Sequence, residues 1–229
     1  MSEKNKIVVT GSEGLIGKRL REHLTNQYEV LSLDLELGHD LTNERFVEDW
    51  FANNNELYGI IIGHSHNPIP LQETKKIEPT DLSLDELRDY LDVNLLSAFN
   101  ICRHFIKNNS SGKIINISSL YGLVSPKHHI YNNFTKPLGY SVSKSALIMM
   151  SKYLSTYYAE NFNINTVVFG GVYDNRLDQD FVNNFNRNVP MKRMMEIDEV
   201  LSVFDFLLDE KSSYVNGTEI IVDGGWTAW

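Results

Sequence analysis

Tyr140 and Lys144 stand four residues apart in GYSVSKSALIMMSKYL at 139–154, a spacing that puts a phenol and an amine one turn apart on one helix face. A free phenol titrates near pH ~10, too high to exchange a proton efficiently at neutral pH. A neighbouring ammonium favours phenolate and lowers that value, so the pair suits general acid–base work. Taken alone, this spacing occurs in many ordinary surface helices. Its meaning depends on its company, and the segment IVVTGSEGLIGKRL at 7–20 supplies some, reading as strand, glycine turn and helix. Gly11, Gly14 and Gly17 let the backbone turn tightly and approach a pyrophosphate, while the helix N-terminus offers free N–H groups to its charge. Asp34 closes the next apolar run about 20 residues later, where a carboxylate accepts from ribose hydroxyls and repels a 2′-phosphate. Glu13, before the middle glycine, adds negative charge there, so the pattern reads as NAD rather than NADP.

These groups need a scaffold, and the apolar periodicity describes one. Short Ile- and Val-rich runs at 7–10, 30–34, 59–62, 113–118, 165–169 and 219–222 alternate with amphipathic segments at 14–26, 43–54, 84–107, 140–161 and 198–208. Strands that are nearly all apolar are buried on both faces, as in a parallel sheet covered by helices. The expected architecture is therefore α/β, a Rossmann-type doubly wound parallel sheet in a three-layer αβα arrangement, one domain over 1–229. Stretches near 64–82, 123–139 and 171–193 break the alternation. All would follow strands, whose carboxyl ends bind ligands in such sheets, so they are the expected substrate loops.

Bulk composition excludes several alternatives. A net charge of −9 without a basic stripe disfavours nucleic acid. No apolar run approaches the roughly 20 residues of a membrane span, and the polar start at MSEKNK leaves no room for a signal peptide. One cysteine, Cys102, excludes an internal disulfide and fits a reducing compartment, read as the cytoplasm; its helical setting marks it as a small core residue.

Taken together, the glycine turn, the Ser-Ser-x-x-Gly in KIINISSLYG at 113–122, the Tyr-x-x-x-Lys pair, DVNLLSAFN at 92–100, INTVVFGGV at 164–172 and YVNGTEIIVDGGW at 214–226 resemble the short-chain dehydrogenase/reductase family over nearly the whole chain. The resemblance implies a tetrad of Asn94, Ser119, Tyr140 and Lys144. In it, Tyr140 is general acid in reduction and base in oxidation, and Ser119 hydrogen-bonds the carbonyl or alkoxide oxygen. Lys144 holds the nicotinamide ribose, and Asn94 positions a water in a proton relay. Ser119 is preferred to Ser118 because Gly122 lies three residues beyond it. The full cofactor-binding set is Gly11, Glu13, Gly14, Leu15, Ile16, Gly17, Asp34, Asp40, Leu41, Gly63, Asn94, Tyr140, Lys144, Gly170 and Val172. The expected activity is NAD-dependent interconversion of a secondary alcohol and a carbonyl on a small polar substrate, such as a sugar or sugar phosphate of surface-carbohydrate biosynthesis. A homodimer or homotetramer is expected from the apolar, aromatic helix MSKYLSTYYAENF and the terminal Trp226 and Trp229.

Departures from the family pattern keep two other readings open. The GxxGxxG spacing is typical of extended members, which include sugar-nucleotide epimerases and dehydratases using bound NAD. IIGHSHNP replaces the usual segment after the fourth strand and Phe169 replaces a proline, which motivates a non-catalytic NAD-sensing protein. Ser119 and Tyr140 are 21 positions apart, an insertion within 123–139 read as part of a lid. No metal is expected, since His64, His66, His128 and His129 lack Cys or carboxylate companions, though His64 or His66 suit the cofactor or substrate wall. Arg176, Arg187, Lys192 and Arg193 read as solvated loop charges, any of which could meet a phosphate or carboxylate.

Overall fold

Apolar runs that do not alternate can be satisfied only when both faces are covered, and the six runs pair into one wholly parallel sheet. The computed structural model describes residues 4–71 and 76–229; positions 72–75 of the expected 64–82 loop lie outside the described residues. The strands are β1 (Lys6–Thr10), β2 (Glu29–Leu33), β3 (Leu57–Ile62), β4 (Gly112–Ser119), β5 (Phe162–Phe169) and β6 (Glu219–Val222), in spatial order β2-β1-β3-β4-β5-β6. Helices α1 (Leu15–Leu24), α2 (Glu44–Asn53), α3 (Leu84–Leu91), α4 (Ser97–Asn108), α5 (Leu138–Tyr157), α6 (Gln179–Asn188) and α7 (Leu201–Leu208) cover both faces. Within β1, Ile7 and Val9 join a core with Leu20 and Leu24 of α1 and Phe204 of α7. Val8 joins the opposite core with Phe51 of α2, Phe105 of α4 and Leu154 of α5. The chain runs from β1 outward to β2, then crosses back to β3, so the crevice for a ligand opens where β1 and β3 diverge.

Two elements differ from the sequence expectation. The helix expected over 84–107 is α3 and α4 joined by a π turn at Asp92–Leu96. Inside it, buried Asn94 exchanges hydrogen bonds with the backbone of His66, and such a wider turn is a common device at functional sites. The 171–193 stretch is not wholly loop, since it contains α6. Asp178 caps that helix by accepting from Phe181 N at 2.9 Å, and Phe181, Val182 and Phe185 face inward. Its asparagines, poor helix formers, hide a capped amphipathic turn that packing then stabilises.

The expected loops also carry a core of their own. Tyr121, Ile130, Tyr131 and Phe134 cluster with Phe181, Phe185, Met194 and Trp226 above the carboxyl end of the sheet. Tyr131 stacks on Phe181 at 4.9 Å and Phe185 on Trp226 at 4.6 Å. Aromatic pairs of this kind stabilise by about 0.5–1.5 kcal/mol beyond their buried area, which gives the insertion a fixed shape.

At the divergence of β1 and β3, a side-chain relay ties the sheet to the helices. Thr10 Oγ1 accepts from Gly63 N (3.1 Å) and His64 N (3.4 Å), so its own proton is directed at His64 Nδ1, 2.7 Å away. Ser97 donates to Val93 O at 2.6 Å and therefore accepts from His64 Nε2 at 2.6 Å. The relay fixes a neutral imidazole with its proton on Nε2, because a second ring proton would meet the Thr10 hydroxyl proton. Desolvation and the Lys144 charge, partly offset by Asp34, hold His64 down to about 4. With an ordinary unfolded value near ~6.5, the unfolded chain binds the extra proton first on acidification, so this contribution to stability is lost as pH falls from ~6.5 towards 4. Urea unfolding between pH 7 and 4.5 is expected to show the parent losing up to about 1.4 kcal/mol per pH unit more steeply than His64→Gln. Parallel pH profiles would refute the neutral imidazole.

Candidate active site

The glycine turn is built by close approach. Gly11, at φ +67°, has no room for a side chain, since a Cβ there would lie 2.7 Å from the His64 backbone. A Cβ on Gly17 would lie 2.0 Å from Gly11 O, so only glycine lets α1 start directly against the turn. Helix α1 begins after Gly14, and its first internal bond is Lys18 N to Gly14 O at 2.9 Å. The N–H groups of Leu15, Ile16 and Gly17 have no protein partner among the described residues and open onto the crevice with the positive end of the helix. Asp34 holds the other wall: Oδ2 accepts from Glu13 N and Oδ1 from Glu36 N, both at 2.9 Å. A carboxylate can accept further bonds, and this one is 9% exposed at the cavity edge. The Glu13 side chain turns to Arg21 at 2.7 Å, an ion pair that offsets both charges.

From this turn one cavity of about 950 Å³ runs to the carboxyl ends of β4 and β5. Gly11, Gly14, Leu15, Ile16, Gly17, Asp34, Asp40, Leu41 and Gly63 line one end, and Ser119, Tyr140, Lys144, Gly170 and Val172 line the other. A glycine cradle, unpaired helix-terminal donors and an edge carboxylate fit a dinucleotide.

At the far end, β4 and α5 are clasped reciprocally. Lys144 Nζ donates to Ile117 O at 2.8 Å, and Ser118 Oγ donates to Lys144 O at 2.9 Å. Gly122 makes this approach possible, because a Cβ there would lie 2.9 Å from the Lys144 backbone. Both serines line the cavity, but the clasp commits the Ser118 hydroxyl to the Lys144 backbone, whereas the Ser119 hydroxyl hydrogen-bonds Tyr140. Lys144 Nζ stands 6.0 Å from the Tyr140 ring centre, and burial brings its value down to about 8. The Tyr-x-x-x-Lys spacing predicts a lowered phenol. Instead, burial raises Tyr140 and the Ser119 hydrogen bond only partly opposes it, since the ammonium is turned towards Ile117. Tyr140 is thus a neutral proton donor as it stands.

Other expected residues are placed differently. Asn94 does not line the cavity. Its Oδ1 accepts from His66 N at 2.7 Å and its amide donates to His66 O and Ser143 Oγ, so it braces the backbone behind the site. Phe169 lines the cavity with its ring 6.0 Å from that of Phe204. Arg176 is paired with Asp174 and Arg193 with Glu199, while His128 and His129 are exposed. Cys102 is buried and its thiol is pushed up to about 12, which leaves it inert. Among the described residues, no three His, Cys, Asp or Glu side chains gather as a metal site, and no helix is long and apolar enough to cross a membrane. Sequence reasoning missed Tyr121, Tyr131 and Lys136, which line the cavity beside Tyr140. The only signal for the last two was the insertion that carries them.

The profile of the family described as enoyl-(acyl carrier protein) reductase matches residues 6–227. The chain is 28% identical to post-translational flagellin modification protein A of Campylobacter coli over 255 aligned positions, covering 99% of each chain. It is also 28% identical to glucose 1-dehydrogenase 2 of Bacillus subtilis (strain 168), covering 66% of this chain and 59% of that one. A solved short-chain dehydrogenase from Leptospira borgpetersenii with bound NAD+ superposes with a TM-score of 0.85 at 25% identity, covering 98% of this chain and 93% of that one. With its parallel sheet, glycine crevice and clasped Ser-Tyr-Lys end, the chain belongs to the short-chain dehydrogenase/reductase family of oxidoreductases.

Proposed function

We propose that this protein is an NAD-dependent dehydrogenase that interconverts a secondary alcohol and a carbonyl on a small polar, sugar-like substrate. The observation that carries this reading is one continuous cavity with the glycine turn and Asp34 at one end and Ser119, Tyr140 and Lys144 at the other. A nicotinamide dinucleotide bound there supplies the hydride exchange. The chain's own residues do the rest. Gly11, Leu15, Ile16 and Gly17 present backbone to the pyrophosphate, with Gly14 at the helix start, and Asp34 accepts from the ribose and repels a 2′-phosphate. Glu13, Asp40, Leu41, Gly63, Gly170 and Val172 complete the cofactor wall.

Tyr140, kept neutral by burial, donates its proton to the carbonyl oxygen in reduction and recovers it in oxidation. Ser119 Oγ steadies that oxygen as it gains charge. Lys144 spends one N–H on Ile117 O and retains two for the nicotinamide ribose. Asn94 acts as a positioning residue through Ser143, the neighbour of Lys144.

Similarity to a glucose 1-dehydrogenase and, along the whole chain, to a flagellin modification protein supports a sugar or sugar phosphate in a surface-modification setting. The Gly11-Gly14-Gly17 spacing also favours a second reading, an epimerase or dehydratase that returns bound NAD to its starting state. Copurified NAD without net NADH formation would distinguish it. A homo-oligomer is proposed as well, because Met149, Tyr153 and Tyr157 form an exposed apolar stripe along α5, and the single cysteine supports a reducing, cytoplasmic setting.

In a screen of sugars, sugar phosphates and simple alcohols, Tyr140→Phe is expected to lose about 10²–10⁴-fold in turnover while binding NADH within a few-fold of the parent. Full turnover by that variant would sink the assignment. Asp34→Asn keeps an acceptor but not the charge. It should lower the preference for NADH over NADPH, read by fluorescence titration, about tenfold or more, equivalent to about 1.4 kcal/mol. An unchanged ratio would place cofactor selection elsewhere.

A further inference from the structure

The insertion between Ser119 and Tyr140 delivers an amine into the cavity that the reaction described above does not use. Lys136 is 7% exposed, and its Nζ lies 4.0 Å from the Tyr140 ring centre, closer than Lys144. Two of its three N–H donors are taken, by Asn67 Oδ1 at 2.5 Å and Pro68 O at 2.9 Å. No carboxylate pairs with it among the described residues, whereas Arg176, which lines the same cavity, is tied to Asp174. A buried ammonium without a counter-charge is costly, and burial accordingly lowers the value of this amine.

The neighbouring groups point the same way. The Tyr121 and Tyr131 hydroxyls are buried 2.7 Å apart on the same cavity wall. One phenol donates to the other, which leaves one hydroxyl proton unspent, and burial holds both phenols neutral at any ordinary pH. The corner beside Tyr140 therefore offers spare donors, an amine that can take up a charge, and no spare carboxylate.

We propose that Lys136 is a substrate-binding residue that takes an oxyanion, a carboxylate or a phosphate ester, carried by the molecule whose alcohol or carbonyl meets Tyr140. This rests on the dehydrogenase reading of the cavity and narrows its substrates to anionic ones. Burial and the Lys144 charge bring the free amine to about 7, so an arriving anion favours the ammonium and gains a charge-assisted bond. Lys136 comes from the segment that widens the Ser119–Tyr140 spacing, so this specificity sits on the part of the chain that departs from the family pattern.

The test is calorimetric titration of the NADH-loaded protein with sodium acetate and, separately, with inorganic phosphate, at ionic strength matched with chloride. The parent is expected to bind one of the two above the chloride background, and the stronger one names the source as carboxylate or phosphate. Lys136→Met should weaken that binding at least tenfold, Lys136→Arg should keep it within a few-fold, and both should bind NADH as the parent does. Lys136→Gln replaces the methionine variant if the latter does not fold. If neither anion binds the parent, or if binding survives loss of the amine, the proposal is overturned. A shifted pH profile of turnover with unaltered anion binding would likewise overturn it, by making Lys136 a modulator of Tyr140. Should NADH itself not bind, the dehydrogenase reading fails, while the same titrations on the free protein still decide whether Lys136 holds an anion.

Discussion

The clasp between the end of β4 and the first turns of α5 fixes everything at the reacting end of the cavity. Lys144 gives a hydrogen bond to the strand at Ile117, and the strand returns one from Ser118 to the helix backbone. Neither bond alone sets an angle. Together, with Gly122 admitting the helix at contact distance, they fix the rotation of α5 about its axis. Tyr140 then has one place to go. Pre-organisation of this kind matters because a hydroxyl, a phenol and an amine displaced by about 1 Å lose much of their joint effect.

Much of this was legible in the chain. Residues 7–17 name their own geometry, since a glycine triplet after an apolar run has few structural uses, and the observed φ and contact distances at Gly11 and Gly17 explain the choice. The four central strands were visible because burial on both faces removes alternation, whereas the edge strands β2 and β6 are only partly buried and were marked by their Ile and Val content. Asp34 was legible as a strand-end carboxylate, although its bonds to Glu13 N and Glu36 N were not, because they depend on a turn brought near through space.

What sequence could not reveal lies mainly in the insertion and the segment around α6. Asn-rich composition conceals a helix that exists because Phe181, Val182 and Phe185 find partners over a hundred ångström of extended chain away in the unfolded state, at Tyr121, Tyr131 and Trp226. Tertiary contact overrides local preference there. The sense of the Tyr140 shift was equally invisible. Spacing says that an amine is near, but only the structure says that its charge is spent on a carbonyl and that burial dominates. Asn94 shows the same limit: residue type marks it as important, and packing decides that its amide faces protein.

Asp34 carries one more implication. Its two oxygens already hold the backbone of Glu13 and Glu36, so the group that would choose between dinucleotides is also a rivet of the turn that receives them. A lineage drifting towards the phosphorylated cofactor could not simply discard this carboxylate, because the loop geometry would slacken with it. Compensation would have to arise at position 13, where the freed Arg21 is already waiting, and the two changes would have to arrive nearly together. Under the proposed reading, any preference that Asp34 confers is coupled by epistasis to the turn it rivets, so architecture and nucleotide choice cannot vary independently.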